Sequence, residues 1–326
     1  MHLQFNALRA TSVPLTRTPN RILNAHMIRP FVTVFAGLLG LAFGSFLNVC
    51  ISRWPENESI VQPRSHCRNC EHRLAWWENI PLLSWILLRG RCRECRTWIG
   101  LRYPLVELML AAMWAYTAWV FEKQFVDLAG QVPIFLLATI FILGQFAFYW
   151  LLVALAALDA EQLWLPNFLT LPGIALGFLV FVFYTIVHGN QVLNFYGATA
   201  MRGRMFRMLW GQRLLAIVVA AGLLLLIRWL YWVIRHVDVM GLGDVKLMAM
   251  LAAWLGLPAT LLAFFIGAMV GAVAGLVVIA VPAARDEGEG WANTKLPFGT
   301  FLCIGGIISS LWGQPIIAAY LHVVGF

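Results

Sequence analysis

Residues 245–282 read VKLMAMLAAWLGLPATLLAFFIGAMVGAVAGLVVIAVP, an apolar block that is broken at Gly256-Leu257-Pro258. A single helix of that length would measure about 57 Å at 1.5 Å per residue, nearly twice the ~30 Å hydrocarbon core of a bilayer. The block therefore predicts two membrane-spanning helices, with a reversal of the chain at the Gly-Leu-Pro break.

The rest of the chain has the same apolar character. It is 61% hydrophobic and 12% charged, with 22 Phe and 15 Trp in 326 residues. Several apolar runs exceed the ~18 residues that mark a spanning helix. We predict an all-α polytopic membrane protein with about eight transmembrane helices and a small cytoplasmic zinc-binding insertion. The predicted spans are 30–52, 104–121, 133–157, 167–187, 213–234, 245–258, 260–282 and 299–322.

The charge distribution predicts the orientation in the membrane. The formal net charge of +8 comes mostly from arginines beside apolar runs, which favours a topological role over nucleic-acid binding. Residues 53–103 follow the first span and carry nine of these arginines, so this segment is expected to be cytoplasmic. An even number of spans separates it from Asp159 and Asp244, which places both on the same face. Four arginines fall on the opposite face and argue against this orientation: Arg202, Arg204, Arg207 and Arg213.

The chain is expected to divide into four parts. They are an N-terminal arm (1–28), a first transmembrane helix (29–52), a cysteine module (53–103) and a transmembrane core (104–326). Translation could start at Met1 or at Met27, directly before the first apolar run. The hydrophilic stretch 188–212 is expected to be a loop.

Four cysteines in the polar segment have the spacing of a metal site. Cys67 and Cys70 form one C-x2-C pair, and Cys92 and Cys95 form a second pair after 21 intervening residues. Four thiolates around one centre predict a structural zinc site with no open position. Two disulfides are the alternative, which a reducing cytoplasm disfavours. The remaining cysteines, Cys50 and Cys303, lie in or beside spans and are expected to pack as small hydrophobic residues.

The segment between the two cysteine pairs is strongly apolar. It contains Trp76, Trp77, Ile80, Leu82, Leu83 and Trp85. This composition is typical both of an aromatic belt at the membrane surface and of a substrate groove.

Two aspartates mark candidate chemistry. Asp159 ends the apolar run 148–158, and Asp244 lies in Gly241-Leu242-Gly243-Asp244 before Val245. A carboxylate at membrane depth costs at least ~2.5–3.5 kcal/mol on insertion scales, so each is a functional-site candidate. The structural alternative is that each aspartate caps a helix: the sixth span for Asp244, and a short helix leading to Pro166 for Asp159.

The pair predicts aspartic-protease chemistry. Two carboxylates within a few Å share one proton, so one can activate a water while the other donates to the developing oxyanion. The sequence contains no H-E-x-x-H or G-x-S-x-G motif. Glu107 is a further intramembrane acid whose partner is not evident, and Lys246 is a candidate counter-charge for the pair.

A series of motifs resembles the bacterial type IV prepilin peptidases, in order from about residue 36 to residue 300. These are Gly44-Ser45-Phe46-Leu47-Asn48-Val49, Pro63-Arg64-Ser65, the two C-x2-C pairs, Glu78-Asn79-Ile80-Pro81-Leu82-Leu83-Ser84-Trp85, Arg89-Gly90-Arg91-Cys92, Arg102-Tyr103-Pro104-Leu105-Val106-Glu107, Leu165-Pro166-Asn167-Phe168-Leu169-Thr170-Leu171-Pro172, Gly241-Leu242-Gly243-Asp244-Val245-Lys246 and Pro297-Phe298-Gly299.

The resemblance implies a bifunctional enzyme of the bacterial inner membrane. It would cleave the leader of type IV prepilins or type II secretion pseudopilins after a Gly on the cytoplasmic side. It would then methylate the new N-terminal residue from S-adenosylmethionine, a function that the residues alone do not indicate. The family's catalytic aspartates fall on Asp159 and Asp244, and its four-Cys segment falls on Cys67, Cys70, Cys92 and Cys95. Many members have Asp where this chain has Asn167, which leaves Asp159 as the clearer candidate.

Two other functions would use the same acids. A presenilin-like intramembrane aspartic protease would share the Gly-x-Gly-Asp motif, but the long Arg- and Cys-bearing loop disfavours it. A proton-coupled transporter would bind cations through the two aspartates. It would be expected to contain inverted repeats, which the spans do not show.

Overall fold

The structure is a computed structural model that describes residues 19–128, 132–195, 202–236, 241–280 and 296–325. Within these residues it contains nine α-helices and no β-strand, and seven of the helices are long and apolar enough to cross a membrane. The predicted all-α polytopic membrane fold is therefore confirmed. The helices are α1 (Pro19–Arg53), α2 (Leu83–Leu87), α3 (Arg102–Leu128), α4 (Val132–Gln162), α5 (Asn167–Phe195), α6 (Arg202–Arg235), α7 (Leu242–Leu255), α8 (Leu257–Ala280) and α9 (Phe298–Val324).

The predicted break in the apolar block separates two helices. Helix α7 ends at Leu255 and α8 begins at Leu257, with Gly256 between them at φ +81°. This left-handed conformation favours glycine. The predicted sixth span differs from the other seven in length. Helix α7 has 14 residues and is about 21 Å long, which is shorter than the ~30 Å hydrocarbon core.

Two polar segments are more helical than predicted. The stretch 188–212 was expected to be a loop, but α5 continues to Phe195 and α6 begins at Arg202. Helix α1 likewise begins at Pro19, inside the predicted N-terminal arm. In both cases an apolar span continues as a polar helix, which hydropathy does not detect. Residues 1–18, including Met1, and most of the loop 283–298 lie outside the described residues. The division into four parts stays a prediction.

The described part of the chain forms two compact units, which divide between Ala154 and Leu155. In the first unit α1 packs closely against α3. A side-chain carbon on Gly40 or Gly44 would lie 2.7 Å from the Cα of Ala111 or Glu107, respectively. The absence of side chains at these two positions, four residues apart, lets the two backbones approach, as in membrane helix pairs with a G-x-x-x-G motif.

In the second unit α7 is the central helix. It packs against α5, α6, α8 and α9, and all its residues from Asp244 to Trp254 are buried except Lys246. The Trp254 indole N–H donates to the Gly173 carbonyl of α5 at 2.9 Å. At the other side Arg213 of α6 donates to the Ala252 carbonyl in the last turn of α7 at 3.3 Å. The central helix is therefore fixed along its side and at its C-terminal end.

Candidate active site and metal centre

Asp159 lies in the last turn of α4 and is 5% exposed. Its carboxylate accepts a hydrogen bond from the backbone N–H of Thr300, with 2.6 Å between Oδ2 and the nitrogen. The hydroxyl of Thr300 lies 3.1 Å from the same oxygen. The expectation that Asp159 could cap a short helix before Pro166 is wrong, because Asp159 is inside α4 and its carboxylate faces the start of α9.

Asp244 lies in the first turn of α7 and is 8% exposed. The N-cap of this helix is Gly241, so the expectation that Asp244 itself is the N-cap is also wrong. The Asp244 carboxylate instead accepts a hydrogen bond from the Gly241 backbone. Each candidate acid is thus a buried carboxylate beside a helix N-terminus, where backbone N–H groups favour negative charge.

The fold brings the two aspartates together. They lie close enough for the charge of one to act on the other, although 84 positions lie between them in the sequence. Leu165 packs against the glycine next to Asp244 and against Gly299, which contacts Asp159: side-chain carbons added to Gly243 and Gly299 would lie 2.8 Å and 2.9 Å from Leu165. The two neighbouring glycines therefore allow the start of α7 and the start of α9 to close around the acid pair.

The nearby charged residues lie at the rim of this site. Glu161, two residues after Asp159, is exposed, and Asp238 lies outside the described residues. Lys246 was a candidate counter-charge for the aspartates. Its ammonium group donates to Oδ1 of Asn167 at 2.5 Å, at the start of α5. The structure therefore pairs this lysine with the position where the resemblance expects an aspartate in many members.

Thr300 is the functional candidate that the sequence did not indicate. It directly follows Pro297-Phe298-Gly299, one of the motifs that carry the family resemblance. Its neighbour Gly299 has no side chain, and a carbon there would lie 2.9 Å from both Cγ and Oδ2 of Asp159. The motif thus forms the helix start against which Asp159 rests.

The four module cysteines form two matching turns. The N–H of Cys67 donates to the His72 carbonyl, and the N–H of Cys92 donates to the Thr97 carbonyl, both at 2.9 Å. Each turn also closes through a residue at positive φ, Glu71 at +58° and Arg96 at +59°. Each turn is flanked by an isolated β-bridge, one between His66 and Arg73 and one between Arg91 and Trp98.

The geometry of the four sulfurs fits a tetrahedral metal ion. All four lie within 4.8 Å of one another, with Cys67 3.7 Å from Cys95 and Cys70 3.9 Å from Cys92. Zn–S bonds of 2.3 Å place tetrahedral sulfurs about 3.8 Å apart. All six cysteines of the chain are free, so the disulfide alternative is not realised. His66 and His72 are not in the four-sulfur group.

The thiols of this cluster differ in acidity. Hydrogen bonding with the Thr97 side chain and backbone lowers the pKa of Cys95 to about 5. At Cys70 a hydrogen bond from the His72 backbone lowers the pKa, but desolvation and the neighbouring thiols outweigh it and raise the pKa to about 12. Four thiolates at this spacing would repel one another electrostatically. A bound divalent cation would offset that repulsion.

Two buried glutamates hold the segment between the cysteine pairs. Glu78 accepts the Ala75 N–H at 2.7 Å and faces the His72 ring at 3.3 Å. Glu107 of α3 accepts the N–H of Leu82 at 2.8 Å and also bonds the Ser45 side chain. These are the partners of Glu107 that the sequence did not reveal. The segment nevertheless exposes Trp76, Leu83, Ile86 and Leu87, so an aromatic belt and a substrate groove both stay open.

These features define a class of protein: a multi-pass membrane protein with a buried pair of aspartates and a four-cysteine module. Two family models match the chain. The bacterial peptidase A24 N-terminal domain matches residues 38–121, and the type IV leader peptidase family matches residues 146–276. No solved structure matches the chain.

Curated relatives match nearly the whole chain. The prepilin leader peptidase/N-methyltransferase of Stutzerimonas stutzeri is 33% identical over 317 residues, which cover 90% of this chain and 95% of that protein. The protein of the same name from Pseudomonas aeruginosa is 33% identical, covering 89% and 93%. The one from Burkholderia pseudomallei strain 1026b is 35% identical, covering 86% and 85%.

The chain therefore belongs to the type IV leader peptidase family, together with the prepilin leader peptidase/N-methyltransferases. The resemblance drawn from the sequence motifs is confirmed, and with it the prediction that the chain is an enzyme of this family. The peptidase A24 N-terminal match contains all four module cysteines, and the leader peptidase match contains both aspartates.

Proposed function

We propose that Asp159 and Asp244 are the catalytic dyad of a membrane-bound leader peptidase. The observation that carries this proposal is the pairing of two buried carboxylates whose charges interact, each at a helix N-terminus. Such a pair holds one shared proton, because the second ionisation is opposed by the first charge. One member can then act as a base and the other as an acid.

The pair accounts for peptide hydrolysis without a covalent intermediate. One carboxylate takes a proton from a water molecule as the water oxygen bonds to the peptide carbon. The partner carboxylic acid gives its proton to the carbonyl oxygen, which produces a neutral diol. In the second step the C–N bond breaks, the amine nitrogen takes the proton held by the first carboxyl, and the second carboxylate regains its proton as the carbonyl re-forms.

The proposed substrates are type IV prepilins and type II secretion pseudopilins. The names of the curated relatives, prepilin leader peptidase/N-methyltransferase, support this substrate class. Cleavage would follow a Gly at the end of the leader, on the cytoplasmic face of the bacterial inner membrane. The nine arginines of residues 53–103 support that orientation. The same enzyme would then transfer a methyl group from S-adenosylmethionine to the new N-terminal amine.

The proposed metal is one structural Zn²⁺ held by Cys67, Cys70, Cys92 and Cys95. The tetrahedral spacing of their sulfurs supports it. Four protein thiolates would leave no position open for water or substrate, so the ion would stabilise the fold of the module. Bound there, it would link the two turns, which otherwise share few side-chain hydrogen bonds.

Cleavage of a prepilin by purified variants tests the dyad. Asp159→Asn and Asp244→Asn each remove one carboxylate and keep the side-chain shape, so each is expected to abolish the mobility shift of the processed pilin on a gel. Glu161→Gln, an exposed carboxylate two residues from Asp159, is the matched control and should process normally. Processing by either aspartate variant would rule out the dyad.

A further inference from the structure

The two members of the acid pair have different hydrogen-bond environments. Asp159 faces two successive backbone N–H groups of α9, those of Gly299 and Thr300, in addition to the Thr300 hydroxyl. Asp244 faces one backbone donor, that of Gly241 in its own helix. A backbone N–H can only donate, so each such contact requires an accepting oxygen and favours the ionised carboxylate.

The N-terminus of helix α9 lacks a capping acceptor of its own. Its N-cap is Pro297, which has no backbone N–H and makes no side-chain cap. The first-turn N–H groups of a helix have no partner within the helix, and together they carry a partial positive charge. Asp159, from α4, supplies the acceptor that α9 lacks.

Thr300 also fixes where this acceptor lies. Its hydroxyl is 2.9 Å from the Ala156 carbonyl and 3.1 Å from Asp159 Oδ2, so a single residue contacts both ends of one turn of α4. Because the backbone N–H of Thr300 approaches the same oxygen at 2.6 Å, Oδ2 is held on the α9 side.

We propose that Asp159 is the ionised base of the dyad, that Asp244 carries the shared proton, and that Thr300 is the positioning residue that sets this order. The inference rests on the proposed peptidase function and adds the assignment of the base and acid roles to the two aspartates. Asp159 takes the proton of the attacking water, and Asp244 protonates the carbonyl oxygen. In the second step the C–N bond breaks, Asp159 gives its proton to the leaving amine, and Asp244 takes a proton from a diol hydroxyl as the carbonyl re-forms.

Within the described ranges, the other titratable groups on α4, α7, α8 and α9 do not supply this asymmetry. Cys303 on α9 interacts electrostatically with both aspartates. On α7 the second charged residue, Lys246, donates to Asn167, and on α4 Glu161 is exposed. Helix α8 carries no titratable side chain. Among the described contacts, the additional hydrogen bonds to Asp159 therefore come from the start of α9.

The pH dependence of prepilin cleavage tests this assignment with the purified full-length protein. Thr300→Val removes the hydroxyl, and Thr300→Pro removes the hydroxyl and the N–H at a first-turn position where no helical hydrogen bond is lost. Activity falls at low pH when the base becomes protonated. We expect the acidic limb of kcat/KM to move up by roughly one pH unit in Thr300→Pro, about tenfold less activity below that limb, and by less in Thr300→Val.

Two controls isolate the contact with Asp159. Thr300→Ser keeps both donors and should restore the wild-type profile. Thr260→Val, on α8, removes a hydroxyl that donates only to the Gly256 carbonyl at 2.7 Å and should leave the limb in place. If Thr300→Pro does not fold, Thr300→Val carries the test.

Three outcomes overturn the assignment: an unchanged acidic limb in a folded Thr300 variant, a shift of the basic limb instead, or an equal loss of activity at every pH. A different result would refute the peptidase proposal itself, namely prepilin cleavage by Asp159→Asn or Asp244→Asn. If the acidic limb does not move in the Thr300 variants and both aspartate variants are inactive, only the assignment of the acid and base roles is refuted.

Discussion

Gly299 lies directly against Asp159: a side-chain carbon on the glycine would be 2.9 Å from the carboxyl Cγ. The first turn of α9 and the last turn of α4 therefore meet at one carboxyl group. The same added carbon would be 2.9 Å from Leu165 Cδ1, so it could not be accommodated by a shift of Asp159 alone. The proposed active site depends on a position without a side chain.

The change Gly299→Ala tests this packing. We expect it to reduce prepilin cleavage at least tenfold, because the added methyl displaces the Asp159 carboxylate from the Thr300 N–H. The matched control is Gly222→Ala on α6, where an added carbon meets nothing within 4 Å. Initial rates of leader removal at equal protein concentration measure the effect. Wild-type rates in Gly299→Ala would mean that the close packing has no catalytic importance.

A second prediction concerns Glu107, which holds the N–H of Leu82 in the cysteine module. Glu107→Ala leaves that half-buried donor without this partner, at a cost of about 1 kcal/mol. Glu107→Gln keeps a side-chain oxygen and should be close to wild type. Hydrogen exchange of residues 80–88, followed by mass spectrometry, should be faster in Glu107→Ala than in Glu107→Gln. Equal exchange in the two variants would show that this contact does not order the module.

The metal content of the purified protein gives a third prediction. We expect one zinc per chain, and we expect Cys67→Ser to lose zinc while it retains some prepilin cleavage, because the proposed dyad contains no metal ligand. Cys50→Ala is the control, since Cys50 is buried in α1 and is not one of the four clustered cysteines. Elemental analysis after chelator-free purification measures the content. A wild-type protein without zinc would refute the metal assignment.

A fourth prediction concerns the C-terminal end of the central helix. Arg213 donates to Ala252 and lies 3.9 Å over the ring of Phe181. Arg213→Met removes a cation from the negative end of α7, and we expect a lower unfolding temperature in detergent. Arg207→Met, an exposed arginine on the same helix, is the control. Equal unfolding temperatures of the two variants would contradict this role.

The sequence predicted the membrane helices because burial in a bilayer constrains every residue of a span. It also located the helix break at Gly256, since an apolar block of that length does not fit the hydrocarbon core as one helix. Hydropathy did not detect that α5 extends to Phe195 and that α6 begins at Arg202, both within the polar stretch 188–212. Those residues form helical backbone hydrogen bonds, but their side chains are too polar for a hydropathy window to identify a helix.

The candidate site was predictable only in part, and for a physical reason. Asp159 and Asp244 stand out because a carboxylate is costly in an apolar run. Thr300 does not, because a threonine near a helix start has no unusual cost, and its contact with Asp159 joins residues 141 positions apart. The same holds for Leu82, whose backbone N–H meets Glu107 only after folding.

The most direct test of the central claim is mass spectrometry of a prepilin's N-terminus after incubation with S-adenosylmethionine and the full-length protein. The proposed dyad predicts a shortened, N-methylated pilin with the wild-type protein and with Glu161→Gln. It predicts an intact leader with Asp159→Asn and with Asp244→Asn. A shortened pilin produced by either aspartate variant would contradict the account.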